Sequence, residues 1–309
     1  MASNYSLTAG GLLVRQINYR VVLVQVLVSV FLCINIFQII VFFMKDSFYT
    51  TMRYILFAVI LMSDCLFLLM TDILLILSYN SVFIQTWLCL LIYIVLSVYT
   101  FVTPLTLTAM SLERYVAICM PLRHAELCST RSTLHLTLII HGLSSIPCTV
   151  TLSIYFASAA RAVYTQGMVC SVEIFILYSW QGYLRSAKGQ FYFLIMCTMI
   201  IFSYVKIMKV AKAASEKNKN STGKALRTVI LHAVQLLLSL IQLWCPFIES
   251  AVLQIDLMLF INVRYFNYVT FILAPRCLSP LIYGLRDEMF FCALRYYALC
   301  GLYKKQSSG

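Results

Sequence analysis

Apolar residues run through this chain in long stretches separated by short polar breaks, a pattern that predicts helices crossing a lipid bilayer. The first stretch extends from Val21 to Met44, and the break from Lys45 to Arg53 leads into a second, from Ile55 to Tyr79. A third runs from Leu88 to Leu112 and ends on Glu113-Arg114-Tyr115. After a loop carrying Pro121, Arg123, His124 and Arg131, a fourth covers Leu134 to Ala157. The segment from Ser158 to Lys188 is polar, and its apolar piece from Val172 to Tyr178 is too short to span. The fifth stretch, Gln190 to Ile207, continues into a basic end, and the sixth occupies Leu226 to Leu253. The seventh, Leu257 to Tyr283, contains Pro275 and Pro280 and stops at Arg286-Asp287-Glu288. Beyond it, Phe290 to Leu299 reads as a short amphipathic helix on the membrane surface.

The expected fold class is an all-α integral membrane protein, a seven-transmembrane helix bundle with a short cytoplasmic amphipathic helix. Three regions follow: a tail over residues 1–20, the seven-span domain over 21–285, and a second tail over 286–309. Composition agrees, because 62% of the residues are hydrophobic and 11% charged, whereas a soluble domain is about a quarter charged. Seven spans of roughly 20 to 25 residues leave no room in 309 residues for a large soluble domain beside them. The first run follows a polar tail and is too long for a cleavable signal core, so it reads as a span.

The formal net charge of +12 raises the question of nucleic acid, but the basic residues are scattered through short loops instead of gathered on one surface. They read as topology signals, and no nucleic-acid partner is expected. One set of alternate loops holds Lys45, Arg53, Arg114, Arg123, Arg131, the cluster from Lys206 to Lys224 and the basic tail; the other holds fewer. The positive-inside rule puts the richer set in the cytoplasm, the amino terminus outside and the carboxyl terminus inside. Asn4-Tyr5-Ser6 is then a glycosylation sequon on the outer side. Most of the 12 cysteines lie in apolar runs, where they act as small hydrophobes.

Asp64 lies in the middle of the second run, and a carboxylate there must face the interior of the bundle. Two readings stand: an internal ion or water site, with sodium as the candidate metal, or an interhelical hydrogen bond to Asn35. Asp72, eight residues on, is nearer the outer end and either reaches water or joins a pocket. Arg114 pairs with Glu113 at the cytoplasmic mouth, extends upward between helices, or donates to a partner's backbone carbonyl. The histidines and serines form no recognisable nucleophile-base pair, and no metal-ligand spacing appears, so no enzyme and no cofactor are expected.

The stretch Met110-Ser111-Leu112-Glu113-Arg114-Tyr115-Val116-Ala117-Ile118-Cys119, followed by Pro121-Leu122-Arg123-His124, resembles a motif of rhodopsin-like G-protein-coupled receptors. In their odorant receptor branch it reads M-A-Y-D-R-Y-V-A-I-C, then P-L-R/H-Y. Further matches follow in order: Asn35, Asp64, Cys89, Cys170, Ser203-Tyr204, Lys224-Ala225, His232 and Pro280-Leu281-Ile282-Tyr283-Gly284-Leu285-Arg286. Together they cover residues 20 to 295. Departures mark a divergent, fish-type member: no tryptophan near His141, Ser279 for the asparagine before Pro280, Ile34 before Asn35, and Leu236 and Leu240 in place of the sixth helix's aromatic core.

The resemblance implies a chemosensory receptor for a small organic ligand, activating a heterotrimeric G protein through a groove beside Arg114, Tyr115, Tyr204, Pro280 and Tyr283. It also implies a Cys89–Cys170 disulfide, which the oxidising outer compartment permits. Cys292 and Cys300 are candidates for palmitoylation or for a plain interfacial role. Counting about four to five turns outward from Arg114 reaches Leu96, Ser97, Thr100 and Phe101. With Tyr192, Trp244, Phe247, Val269 and Ile272 they make the expected ligand pocket, and Glu249 and Arg264 stand near its rim. The alternatives are a receptor for an endogenous small molecule or peptide, and a transporter that uses Asp64 and Asp72 as an ion path.

Overall fold

The computed structural model describes residues 2–158, 167–215 and 233–298. Seven of its helices are long and apolar enough to cross a membrane: Asn18–Phe43, Met52–Tyr79, Thr86–Cys119, Thr130–Ser158, Trp180–Val210, Ala233–Leu253 and Leu257–Ile282. They are called the first to seventh spans below. Helices are what a bilayer demands, since every backbone N–H and C=O must be satisfied within its own segment. The hydroxyls obey the same rule by bonding the carbonyl a turn earlier, as Ser63 does to Val59, Thr106 to Val102 and Ser144 to Ile140.

The hydrophobic arrangement suits lipid: Leu138, Phe191 and Ile201 are each more than half exposed, while the interior holds Asn35, Asp64, Thr106, Gln235 and Ser279. The main apolar core joins the second, third, fifth and sixth spans through Leu56, Ile60, Val102, Leu107, Met196, Leu236 and Leu240. Pro246 sits just after a tight 3-10 turn at Gln242–Trp244, because it has no N–H for the Gln242 carbonyl and its ring crowds that turn. The seventh span contains a π-helical stretch, Tyr268–Leu273, which widens the turn and alters the register of everything that follows.

At the outer end, β1 (Phe83–Gln85) pairs antiparallel with β2 (Gly167–Val169), with Ile84 opposite Met168. Directly after β2, Cys170 is bonded to Cys89 at the start of the third span. At the cytoplasmic end a helix over Glu288–Ala298 lies against the bundle. Asp287 fixes it by accepting from Phe290 N, Tyr54 Oη and Arg53 Nη2, while Phe290 packs on the rings of Phe48 and Phe57.

Several boundaries differ from the hydropathy reading. The fifth span's helix begins at Ser179, before Gln190, because Arg185 and Lys188 lie within it and lower the local hydropathy without breaking the helix. The loop after Cys119 folds into a helix over Pro121–Leu127, with Pro121 at its first turn, where a missing N–H costs nothing. The first helix extends back to Ala2. The side chains of Asn4 and Tyr283, residues 226–232 of the expected sixth span, and Cys300 lie outside the described residues.

Candidate functional site

A cavity of about 520 Å³ opens at the outer end of the bundle. The third span contributes Tyr93, Leu96, Ser97, Thr100 and Phe101, spaced at three and four residues so that they share one helical face. The second span supplies Phe67 and Thr71, and the seventh supplies Arg264, Tyr265, Tyr268 and Ile272. Cys170, Ser171, Val172 and Glu173 also line the cavity, brought there by the disulfide. Five expected ligand residues, Leu96, Ser97, Thr100, Phe101 and Ile272, therefore line it.

Four expected residues do not. Tyr192 stands behind Phe101, 4.9 Å between ring centroids, and turns its hydroxyl to the Leu143 carbonyl at 2.7 Å. That carbonyl has lost its helical donor because Pro147, four residues on, has no N–H. Trp244 packs edge-on against Phe193 and Phe247, and Phe247 is 45% exposed. The tight turn before Pro246 sets the phase of the sixth span so that Gln242, Leu243, Cys245, Pro246 and Glu249 face the cavity instead. Val269 packs with Val24, Val28 and Leu68 between the first, second and seventh spans.

The walls hold charge, of which the sequence reading placed only Glu249 and Arg264 near the rim. Arg264 pairs with Glu173 at 3.0 Å, and Glu249 accepts from Asn267 at 3.1 Å. Lys188 donates to the Pro147 carbonyl at 3.0 Å and to Thr151 Oγ1 at 2.7 Å. Asp72 lies apart from the lining and is bonded by Gln25 at 2.6 Å.

Beneath the cavity the account of Asp64 needs correction. Its Oδ1 is held by Arg276 Nη1 at 2.6 Å and by Thr103 Oγ1 at 2.9 Å. Arg276 is 1% exposed, stacks on the Phe67 ring at 3.6 Å, and also donates to the Tyr99 carbonyl at 3.2 Å. Asn35 is buried and makes no hydrogen bond to Asp64 among the described residues. The donor set does not fit sodium, because a guanidinium already stands where the cation would sit and Thr103 turns its proton toward the carboxylate. Arg276 was legible in principle: it interrupts the seventh apolar run as Asp64 interrupts the second, and the same rule sends it inward.

At the cytoplasmic end Glu113 is buried and its Oε1 lies 3.3 Å from His124 Nε2, a partner the sequence reading did not name. Tyr115 meets Phe202 edge-on at 5.5 Å, and Tyr204 packs against the main core. The Pro280 carbonyl accepts from Gln38 at 2.9 Å, and Ser279 accepts from Gln235 at 2.5 Å, tying the seventh span to the first and sixth.

Comparison with known proteins agrees with this architecture. Residues 34–283 match the 7 transmembrane receptor (rhodopsin family). Odorant receptor 131-2 of Danio rerio is 42% identical over 280 residues, which cover 91% of this chain and 86% of that protein. The chain therefore belongs to the rhodopsin family of seven-transmembrane receptors, in its odorant-receptor branch, and is a multi-pass chemosensory receptor of the plasma membrane.

Proposed function

We propose that this receptor binds a small organic molecule in the outer cavity and relays the event to a heterotrimeric G protein at the cytoplasmic face. The cavity volume falls within the range of ligand pockets, and its lining is largely apolar with a few hydroxyls and charges. The observation that carries the reading is Phe67, which lines the cavity on one side and holds Arg276 on its ring. Ile272, one turn outward of Arg276, lines the cavity too. A ligand that presses on Phe67 and Ile272 acts on the ion pair joining the second, third and seventh spans.

A ligand shifts the population of helix packings only as far as it prefers one of them. In the resting state Glu113, engaged by His124, restrains the end of the third span. In the active state Arg114 offers its donors to the partner, beside Tyr115 on the third span, Tyr204 on the fifth, and Pro280 and Tyr283 on the seventh. Asn35 and Asp64 belong to the packing that changes. No bond is broken in this scheme.

A transporter reading gains nothing from Asp64, because Arg276 and Thr103 close that carboxylate off directly below the cavity. The test is to reconstitute the receptor and present a panel of volatile and water-soluble small molecules. Nucleotide exchange on added G protein is measured in parallel with flux into liposomes. Ligand-dependent exchange without flux supports the proposal; flux without exchange overturns it.

A further inference from the structure

The outer cavity carries an excess of positive charge. Four cations line it, Arg20, Arg185, Lys188 and Arg264, against two carboxylates, Glu173 and Glu249. Both carboxylates are engaged, Glu173 by Arg264 and Glu249 by Asn267. Arg20 donates to Asn262 at 2.8 Å and lies over the Tyr265 ring at 5.0 Å. Like Arg20, Arg185 and Lys188 stand beyond ion-pair distance of any carboxylate among the described residues, although Glu173 also attracts Arg185 from further off; the two lie three residues apart on the fifth span and so on one helical face.

Lys188 is held by two neutral acceptors, the Pro147 carbonyl and Thr151 Oγ1. Residues 159–166 of the outer loop contain Arg161 and no acid, and residues 1–17 contain Arg15 and no acid, so these stretches supply no countercharge. The other outer carboxylates are committed, Asp72 to Gln25 and Asp256 to Leu259 N. Two like charges one turn apart in a partly apolar cavity repel each other and lose hydration, and an anion bound between them relieves both.

We propose that this cavity selects a small organic anion. Its carboxylate or sulfonate head sits on Lys188 and Arg185, and its apolar body lies against Leu96, Phe101 and Ile272. The hydroxyls of Tyr93 and Ser97 line the same cavity and offer further polar contacts to the head, while Thr151 donates its proton to the Pro147 carbonyl. About 520 Å³ is far more than an inorganic ion fills, so the apolar body accounts for the remaining space. The inference rests on the cavity being the ligand site.

The experiment uses the full chain at the cell surface, with second-messenger output corrected for receptor number. Matched pools share the same aliphatic and phenylalkyl bodies and differ in head group: carboxylates such as 4-phenylbutyrate, the corresponding sulfonates, alcohols and amines. Responses should concentrate in the carboxylate and sulfonate pools, which also shows which of the two heads is preferred. Lys188→Gln keeps donors for Pro147 and Thr151 but removes the charge, and should weaken the response to active anions about tenfold or more. Arg185→Gln should do likewise, and Lys188→Arg should restore most of the response. Responses confined to alcohols or amines would overturn the anion inference and leave the proposed function standing. Anion responses that survive both Gln substitutions at full sensitivity would overturn it as well. Silence in every pool from surface-expressed receptor would overturn both readings.

Discussion

Arg276→Met offers the sharpest test of how the bundle is held together below the cavity. The substitution removes a guanidinium that bonds Asp64, Thr103 and the Tyr99 carbonyl, and leaves the Asp64 carboxylate at 0% exposure with Thr103 beside it. Removing one partner of a buried pair costs about 3–5 kcal/mol, because the other charge stays desolvated. Asp64→Asn alone should cost a similar amount by stranding Arg276. The double variant removes both charges and should be far less damaged than the sum, with a coupling of at least about 2 kcal/mol. Arg276→Lys should rescue only in part, since a point charge cannot reach all three partners at once.

The assay is thermal or denaturant unfolding of purified receptor in lipid nanodiscs, with single and double variants measured side by side. A second readout comes from replacing choline by sodium at about 0.15 M ionic strength. The unsubstituted receptor should be indifferent to the exchange, whereas Arg276→Met leaves the buried Asp64 without its countercharge, and a sodium ion taking the place of the guanidinium should stabilise it. Additive single costs, or a sodium dependence in the unsubstituted receptor equal to that of Arg276→Met, would refute the reasoning.

Other substitutions have direct expectations. Tyr192→Phe strands the Leu143 carbonyl that Pro147 already leaves without its helical donor, and should lower stability by about 1 kcal/mol while leaving ligand preference unchanged; an altered ligand order would return Tyr192 to the pocket. Cys89→Ser frees β2 and the lining residues from Cys170 to Glu173, and should cost about 2–5 kcal/mol and most surface protein; normal surface levels with normal ligand response would contradict this. Burial pushes the Glu173 carboxyl up, but Arg264 and its other partners outweigh this and hold it below its ordinary value of 4.5. A group depressed on folding contributes its stability above the unfolded value and loses it as pH falls through the folded one. Its side chain is half exposed, so the contribution is below about 1 kcal/mol. Glu173→Gln should flatten that part of the acid-side unfolding curve, and an unchanged curve would show that the pair does not contribute.

Periodicity and charge asymmetry were enough to read seven spans and their orientation, because a bilayer leaves few alternatives to apolar helices. Four cavity-lining residues were reached by counting turns from Arg114, which works along the third span because that helix keeps one phase from Leu96 to Phe101. On the sixth span the expected Trp244 and Phe247 do not line the cavity, because Pro246 and the tight turn before it rotate them away. In the seventh span the π-helical stretch alters the register between Val269 and Ile272, so one of them lines the cavity and the other does not. Lys188 was hidden for a different reason: hydropathy counted it as loop, and only the packing of the fourth and fifth spans reveals the acceptors that hold it. Arg276 was the avoidable miss, since the rule applied to Asp64 also covered it.

The central claim is that ligand occupancy in the outer cavity reaches a G protein through the end of the third span. Arg114→Ala removes a charge and five donors there and leaves every cavity residue in place. Agonist binding and nucleotide exchange should be measured on the same surface-expressed population, corrected for receptor number, with Glu113→Gln as the companion variant that loosens the restraint from His124. The account predicts that Arg114→Ala binds agonist normally and fails to drive exchange, while Glu113→Gln raises basal exchange. An Arg114→Ala receptor that binds agonist and drives exchange at the unsubstituted rate would contradict it.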